Sequence, residues 1–119
     1  MQFRRIAWSA HAELNLRRAL PVETELQAIR GEVLRGISWL WEIDNGTSYM
    51  VTRGEPGELV CVAYEGEDVR TAADFILAAA ARSGYPSVRF HTQHKALLRM
   101  LQDLQPTVEF IARIKTNGR

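Results

Sequence analysis

The sequence contains little cysteine, almost no net charge and no long hydrophobic run, and each absence excludes a class of protein. Cys61 is the one cysteine among 119 residues, which excludes an internal disulfide and fits a reducing, cytoplasmic compartment. The 15 basic and 14 acidic side chains nearly cancel, so no overall charge draws the chain to nucleic acid or to an anionic membrane. No stretch approaches the roughly 18 apolar residues of a membrane span, and the first residues do not resemble a signal peptide.

What the sequence does contain is the composition and the periodicity of a globular domain. Hydrophobic residues make up 46% and charged residues 24% of the chain, so we expect one domain over residues 1–119. Hydrophobic periodicity predicts the element order β-α-α-β-β-β-α-β-α-β, in an α/β fold with a mixed central sheet and helices on both faces. The predicted strands are residues 2–8, 37–44, 47–53, 59–64, 87–92 and 107–114, and the predicted helices are residues 11–20, 21–35, 69–82 and 93–104.

The clearest local signal is a hairpin in "ISWLWEIDNGTSYMVTR". Asn45-Gly46 is the pair preferred in a two-residue type I′ turn, and such a turn places Ile43 opposite Ser48 and Trp41 opposite Met50. Leu40, Glu42 and Tyr49 then share one face of the hairpin, while Trp39 and Trp41 share the other. The size and apolarity of the two tryptophans predict that both pack in the core.

A longer stretch carries a resemblance to a known family: "ELVCVAYEGEDVRTAADFILAAAARSGYPSVRFHTQHKALLRMLQDLQPTVEFIARI". Together with the element order, it resembles the GCN5-related N-acetyltransferase (GNAT) fold over roughly residues 2–114. In that family a central strand leads into a turn that holds the pyrophosphate of acetyl-CoA. The resemblance therefore implies acetyl-CoA as cofactor. The residues that it assigns to the cofactor are Val62, Ala63 and Tyr64 on the strand, and Gly66, Val69 and Arg70 in the turn and the helix that follows.

The implied reaction moves an acetyl group from acetyl-CoA to an amine acceptor whose identity the sequence does not give. Glu42 or Glu65 is the candidate base, acting through water, with Glu67 as another choice. Tyr85 is the candidate acid, with Tyr64 as the alternative.

The turn itself departs from the family pattern. Glycines usually let backbone N–H groups close around phosphate oxygens, but only Gly66 matches here. Glu65, Glu67 and Asp68 place three carboxylates where a pyrophosphate would bind, and like charges repel. A second interpretation makes Asp68 the N-cap of the next helix, with the two glutamates near the positive end of its dipole.

Further departures keep a non-catalytic function open. Met100 stands where many family members carry a tyrosine, and the sequence ends about where a seventh strand would begin. A GNAT-like binding or structural module, of the kind found among phage-derived and accessory proteins, is the alternative to an acyltransferase. Exposed strand edges make a homodimer one expectation. Nucleic-acid binding is the less favoured partner class, and His91 with His94 lacks the third ligand of a zinc site.

Overall fold

The computed structural model describes residues 2–91 and has a mixed α/β fold, which confirms the predicted class. Five strands form one mixed sheet in the order β1-β2-β3-β4-β5. The strands are β1 (Phe3–Ile6), β2 (Ser38–Ile43), β3 (Ser48–Glu55), β4 (Glu58–Glu65) and β5 (Ser87–Phe90), and the helices in this part of the chain are α1 (Ala10–Ala19), α2 (Glu23–Leu34) and α3 (Val69–Arg82). The predicted helix 93–104 and strand 107–114, with Met100 and His94, lie outside the described residues.

The chain divides into two compact units. Among the described residues, the first unit contains the chain up to Arg53 together with Val62–Glu67, and the second contains Gly54–Cys61 and the chain from Asp68 onward. Strands β3 and β4 each contribute residues to both units. The single domain expected over residues 1–119 stays a prediction.

In the first unit, β2 pairs antiparallel with both β1 and β3. The predicted register is confirmed, because Ile43 lies opposite Ser48 and Trp41 opposite Met50. The predicted two-residue turn is wrong: β2 ends at Ile43, and Asp44, Asn45 and Gly46 all have positive φ, at 48°, 57° and 97°. The Asp44 carboxylate accepts a hydrogen bond of 2.7 Å from the backbone N–H of Gln2, so the longer turn also anchors the start of β1.

The two helices of the first unit begin and end at recognisable signals. Ser9 caps α1, since its hydroxyl accepts from the backbone N–H of Ala12 at 3.1 Å. Gly36 ends α2 with a φ of 77°, a conformation that glycine adopts without strain. The helices bury Leu16 and Leu26 completely.

Both tryptophans of β2 were predicted to pack in the core, and this prediction is wrong for Trp39. Trp39 is 43% exposed and carries the guanidinium of Arg5 above its ring at 3.7 Å, while Trp41 is half-buried and donates its indole N–H to Thr52. Leu40, which lies between them, is fully buried. The alternation of the strand was predicted correctly, but Trp39 lies under Arg5 and is not packed in the core.

In the second unit, β4 pairs in parallel with β5 through Glu58–Cys61 and Ser87–Phe90. Helix α3 contacts β5 and buries Ala72, Ala73, Ile76 and Ala80. Periodicity predicts a buried stripe of Val69, Ala73, Ile76 and Ala80, which is correct except for Val69, a half-buried residue. Cys61 is a buried residue of β4. None of the helices in residues 2–91 has both the length and the apolarity needed to cross a membrane.

Candidate functional site

The strand residues assigned to the cofactor belong to the first unit. Val62 and Ala63 are buried, so their side chains do not present a surface to a ligand. Tyr64 is half-buried, and its phenol donates a hydrogen bond to the backbone carbonyl of Glu67. This hydrogen bond connects the end of β4 to the turn. The phenol proton is therefore already donated to the Glu67 carbonyl.

Gly66 is required in this turn for two reasons. Its φ is 141°, a conformation that side chains with a Cβ rarely adopt. A Cβ placed on it would lie 2.0 Å from Oγ and 2.4 Å from Cβ of Ser48, a buried residue at the start of β3. The backbone of the turn therefore lies directly against β3, and any side chain at this position would collide with it.

In the second unit, α3 begins without a side-chain cap, which corrects the interpretation of Asp68. Asp68 occupies the N-cap position, but its backbone is left-handed, with φ 53° and ψ 51°, and its carboxylate makes no capping hydrogen bond. The side chain of an N-cap reaches the helix N–H groups when its backbone is extended, and here it is not. The Asp68 carboxylate instead accepts from the Thr71 hydroxyl at 2.9 Å.

The first turn of α3 consequently presents backbone N–H donors that no side chain caps. Val69 and Arg70 are its first two residues. The Arg70 guanidinium lies 3.6 Å from the carboxylate of Asp74 and is largely exposed. An arginine and uncapped N–H groups in one turn can hold an anion.

Glu42, a candidate base, is engaged in an ion pair in the first unit. Its carboxylate lies 2.5 Å from the guanidinium of Arg4, which is its partner across the β1–β2 ladder. The guanidinium occupies one of the carboxylate oxygens, so a proton taken from an amine would have to compete with this contact. Glu65, the other candidate, is the half-buried last residue of β4.

A contact between Tyr49 and His11, beside Glu42, was not predicted from the sequence. The phenol of Tyr49, 1% exposed, lies 2.5 Å from Nδ1 of His11, and the two rings meet edge to face. A Cβ on Gly46 would lie 3.1 Å from that phenol oxygen and 3.3 Å from the His11 ring. Strand alternation places Tyr49 beside Glu42, but no sequence signal brings a helix histidine to the same point.

Tyr49 gives the protein a predictable response to alkaline pH. Burial raises the pKa of its phenol, and the charge of Glu42 adds to the shift. Unfolded tyrosine ionises near pH 10, so above about that pH the unfolded state loses a proton that the folded state keeps. The free energy of unfolding should fall as pH rises from about 10 through the folded pKa, and Tyr49→Phe should reduce that fall. Urea unfolding of both proteins across this range measures it; identical slopes would contradict the assignment to Tyr49.

Tyr85, the candidate acid, lies in the second unit against β3. Its phenol oxygen would be 2.3 Å from a Cβ added to Gly54, so the ring end rests on the glycine backbone. Tyr85 follows Gly84, and its backbone N–H bonds to the Ala80 carbonyl at the end of α3. Because Tyr85 and the candidate bases Glu42 and Glu65 belong to different units, their role as one catalytic set stays a prediction.

Most arginines of the described chain are already paired with carboxylates. In the second unit Arg89 contacts Glu55 at 3.0 Å and the buried Glu58 at 3.4 Å. The other paired arginines are Arg4, Arg17, Arg30, Arg53 and Arg70. These pairs leave few cations for phosphate contacts, and weak nucleic-acid affinity stays a prediction. Within residues 2–91 no cluster of three metal-ligating side chains occurs, and His91 is exposed.

No protein-family model, curated protein or solved structure matches the chain. The functional argument therefore rests on the residues and the geometry described above.

Proposed function

We propose that the protein is a GNAT-like N-acyltransferase that binds acetyl-CoA at the turn before α3. The observation that carries the proposal is the uncapped first turn of that helix. Because Asp68 is left-handed and its carboxylate is bonded to Thr71, no side chain caps the first N–H groups of α3, and they could donate to an anion. The parallel pairing of β4 and β5, connected by α3, also fits this fold.

The residues present fit a pyrophosphate, although with opposing charge. The N–H groups of Val69, Arg70 and Thr71 would donate to phosphate oxygens, and the Arg70 guanidinium would add positive charge. The pantetheine arm is assigned to the backbone of Val62, Ala63 and Tyr64. Glu65 and Glu67 oppose a phosphate group, so we expect modest affinity that depends on ionic strength.

Acetyl-CoA, when bound, supplies an acyl group activated as a thioester. Attack by a neutral amine forms the amide C–N bond and breaks the C–S bond, and the proton lost by the nitrogen balances the one gained by the thiolate. Glu65 is the base assigned to receive that proton through water, since Glu42 is held by Arg4. Tyr85 is assigned as the acid for the thiolate.

A non-catalytic GNAT-like module is the second candidate. The ion pair between Glu42 and Arg4 favours it, as does the phenol of Tyr64, which is bonded to the Glu67 carbonyl. Both contacts give structural roles to side chains that would otherwise be available for proton transfer. In this case the turn would hold CoA, or a related anion, without turnover.

We expect Glu67→Gln to strengthen the binding of acetyl-CoA by roughly threefold to tenfold, because it removes one exposed like charge beside the pyrophosphate. Titration calorimetry with acetyl-CoA, free CoA and adenosine 3′,5′-bisphosphate measures the effect and shows which part of the cofactor carries it. The gain should shrink as salt is added.

Glu25→Gln is the matched control, because Glu25 is an exposed carboxylate in the first turn of α2. It should leave the affinity unchanged. Absence of binding at millimolar acetyl-CoA, in both the parent protein and Glu67→Gln, would overturn the cofactor assignment. Binding without thiol release across a panel of amines would instead establish the non-catalytic module.

A further inference from the structure

The first unit contains a cavity that none of the acyl-transfer residues lines. It has a volume of about 380 Å³ and is formed by residues 5–8, 33–34 and 38–40. These segments are the end of β1, the end of α2 and the start of β2. Small-molecule sites commonly measure about 300–1,000 Å³, so the cavity is of a size that takes a small ligand.

The lining combines apolar surface with one positive charge. Ile6 and Trp8 are half-buried and supply apolar walls that a ligand can contact, whereas Leu40 is fully buried. Leu34 is 63% exposed and Trp39 is 43% exposed, so both are open to solvent beside the cavity. Arg5 provides the cation.

Arg5 is held in place but is not neutralised. The central carbon of its guanidinium lies over the Trp39 ring, 3.7 Å from the ring centroid, and this cation–π contact restrains the long side chain. Across residues 2–91, no carboxylate forms an ion pair with it, in contrast to its neighbour Arg4. A contact with the ring leaves guanidinium N–H groups as donors, and a carboxylate can accept from two of them at once.

The carboxylates bonded to cavity-lining residues are already compensated. Glu13 accepts from the Trp8 indole N–H and contacts Arg17 and Arg30. Glu32 accepts from the Ser38 hydroxyl and from Arg53. Each negative charge therefore has an arginine partner, and Arg5 remains the cation of the cavity.

We propose that this cavity binds a small monocarboxylate with an aromatic or branched apolar body. The apolar part would contact Ile6 and Trp8, and the carboxylate would accept from N–H groups of Arg5. This site does not depend on the acyl-transfer proposal, because none of the residues assigned to acetyl-CoA or to its chemistry lines the cavity.

The first test is a titration of ¹⁵N-labelled protein with indole-3-acetate and its neutral counterpart indole-3-acetamide. The indole N–H signals of Trp8 and Trp39 should shift saturably, and that of Trp41, which does not line the cavity, should move little. The acid should bind at least about tenfold more tightly than the amide, because the charge-assisted hydrogen bonds require the carboxylate.

Variants separate the charge from the cavity. Arg5→Gln should remove the advantage of the acid over the amide, whereas Arg18→Gln, at an exposed arginine of α1 away from the cavity, should preserve it. Leu34→Glu, at an exposed position of the lining, should weaken the binding of indole-3-acetate and leave the binding of indole-3-acetamide unchanged. Calorimetry measures the affinities, and the spectra confirm that each variant is folded.

Equal affinities for acid and amide, unchanged acid affinity in folded Arg5→Gln, or no shift of the Trp8 and Trp39 signals would each overturn the proposal. A short peptide ending in tryptophan tests the other source of the same chemistry. If its free carboxyl terminus bound more tightly than indole-3-acetate, the assignment to a small molecule would be wrong.

Discussion

Gly66→Ala should lower the free energy of unfolding by about 3–5 kcal/mol, since a strained φ and an overpacked contact each cost roughly 1–3 kcal/mol. The φ of 141° penalises any Cβ, and the new methyl would lie 2.0 Å from Oγ and 2.9 Å from Cα of Ser48. Backbone atoms of a central strand cannot move aside as a flexible side chain can. Urea unfolding followed by circular dichroism measures the loss.

Gly57→Ala is the matched control, because Gly57 also has positive φ, at 74°, but a Cβ there meets nothing within 4 Å. It should cost only the conformational part, about 1–2 kcal/mol. Ser48→Gly combined with Gly66→Ala should recover part of the loss, and the difference gives the coupling energy. A Gly66→Ala variant no less stable than Gly57→Ala would contradict the close contact between the turn and β3.

Glu32→Ala should cost about 2–3 kcal/mol, because one carboxylate oxygen serves two partners. Oε1 of Glu32 accepts from the Ser38 hydroxyl at 2.7 Å and from the Arg53 guanidinium at 2.8 Å. The side chains of Glu32 and Arg53 are each only 22% exposed, and Ser38 is 1% exposed. Truncation removes the acceptor of a buried hydroxyl and breaks an ion pair that water screens only partly. Thermal and urea unfolding measure the effect.

Glu32→Gln separates the two contributions, since the amide oxygen still accepts a hydrogen bond but carries no charge. The free energy of unfolding of Glu32→Gln should lie between that of the parent protein and that of Glu32→Ala. Glu25→Ala, at an exposed position of the same helix, should cost less than about 1 kcal/mol. If Glu32→Ala were as mild as Glu25→Ala, the contacts of Glu32 with β2 and β3 would not contribute to stability.

Local signals predicted those parts of the fold that depend on neighbouring residues. Helix α3 was predicted with its observed bounds because an alanine-rich stripe is followed by Ser83-Gly84. The hairpin register was predicted from a turn centred on Asn45-Gly46, and it is correct even though the turn geometry was wrong. A left-handed run at Asp44, Asn45 and Gly46 keeps the same strand pairing as the two-residue turn, so the pattern alone could not distinguish them.

Features that depend on distant residues could not be predicted. The burial of Trp39 is set by Arg5 on a neighbouring strand, and the contact between Tyr49 and His11 requires the placement of α1 on the sheet. The turn before α3 has features of both kinds, those that the sequence predicts and those that it does not. Its sequence shows an aspartate before a helix, but the backbone at Asp68 is left-handed, so the expected cap does not form. The residues of this turn could be identified from the sequence, but the directions of their side chains could not.

All three tryptophans, Trp8, Trp39 and Trp41, belong to the unit that contains the chain up to Arg53. Intrinsic tryptophan fluorescence therefore reports the unfolding of that unit alone, whereas far-ultraviolet circular dichroism also detects α3 in the other unit. Coincident transitions by the two probes would show that the units unfold as one cooperative body, and separated transitions would show that they do not. The distribution of one residue type thus makes an ordinary denaturation experiment a measurement of cooperativity along the shared strands β3 and β4.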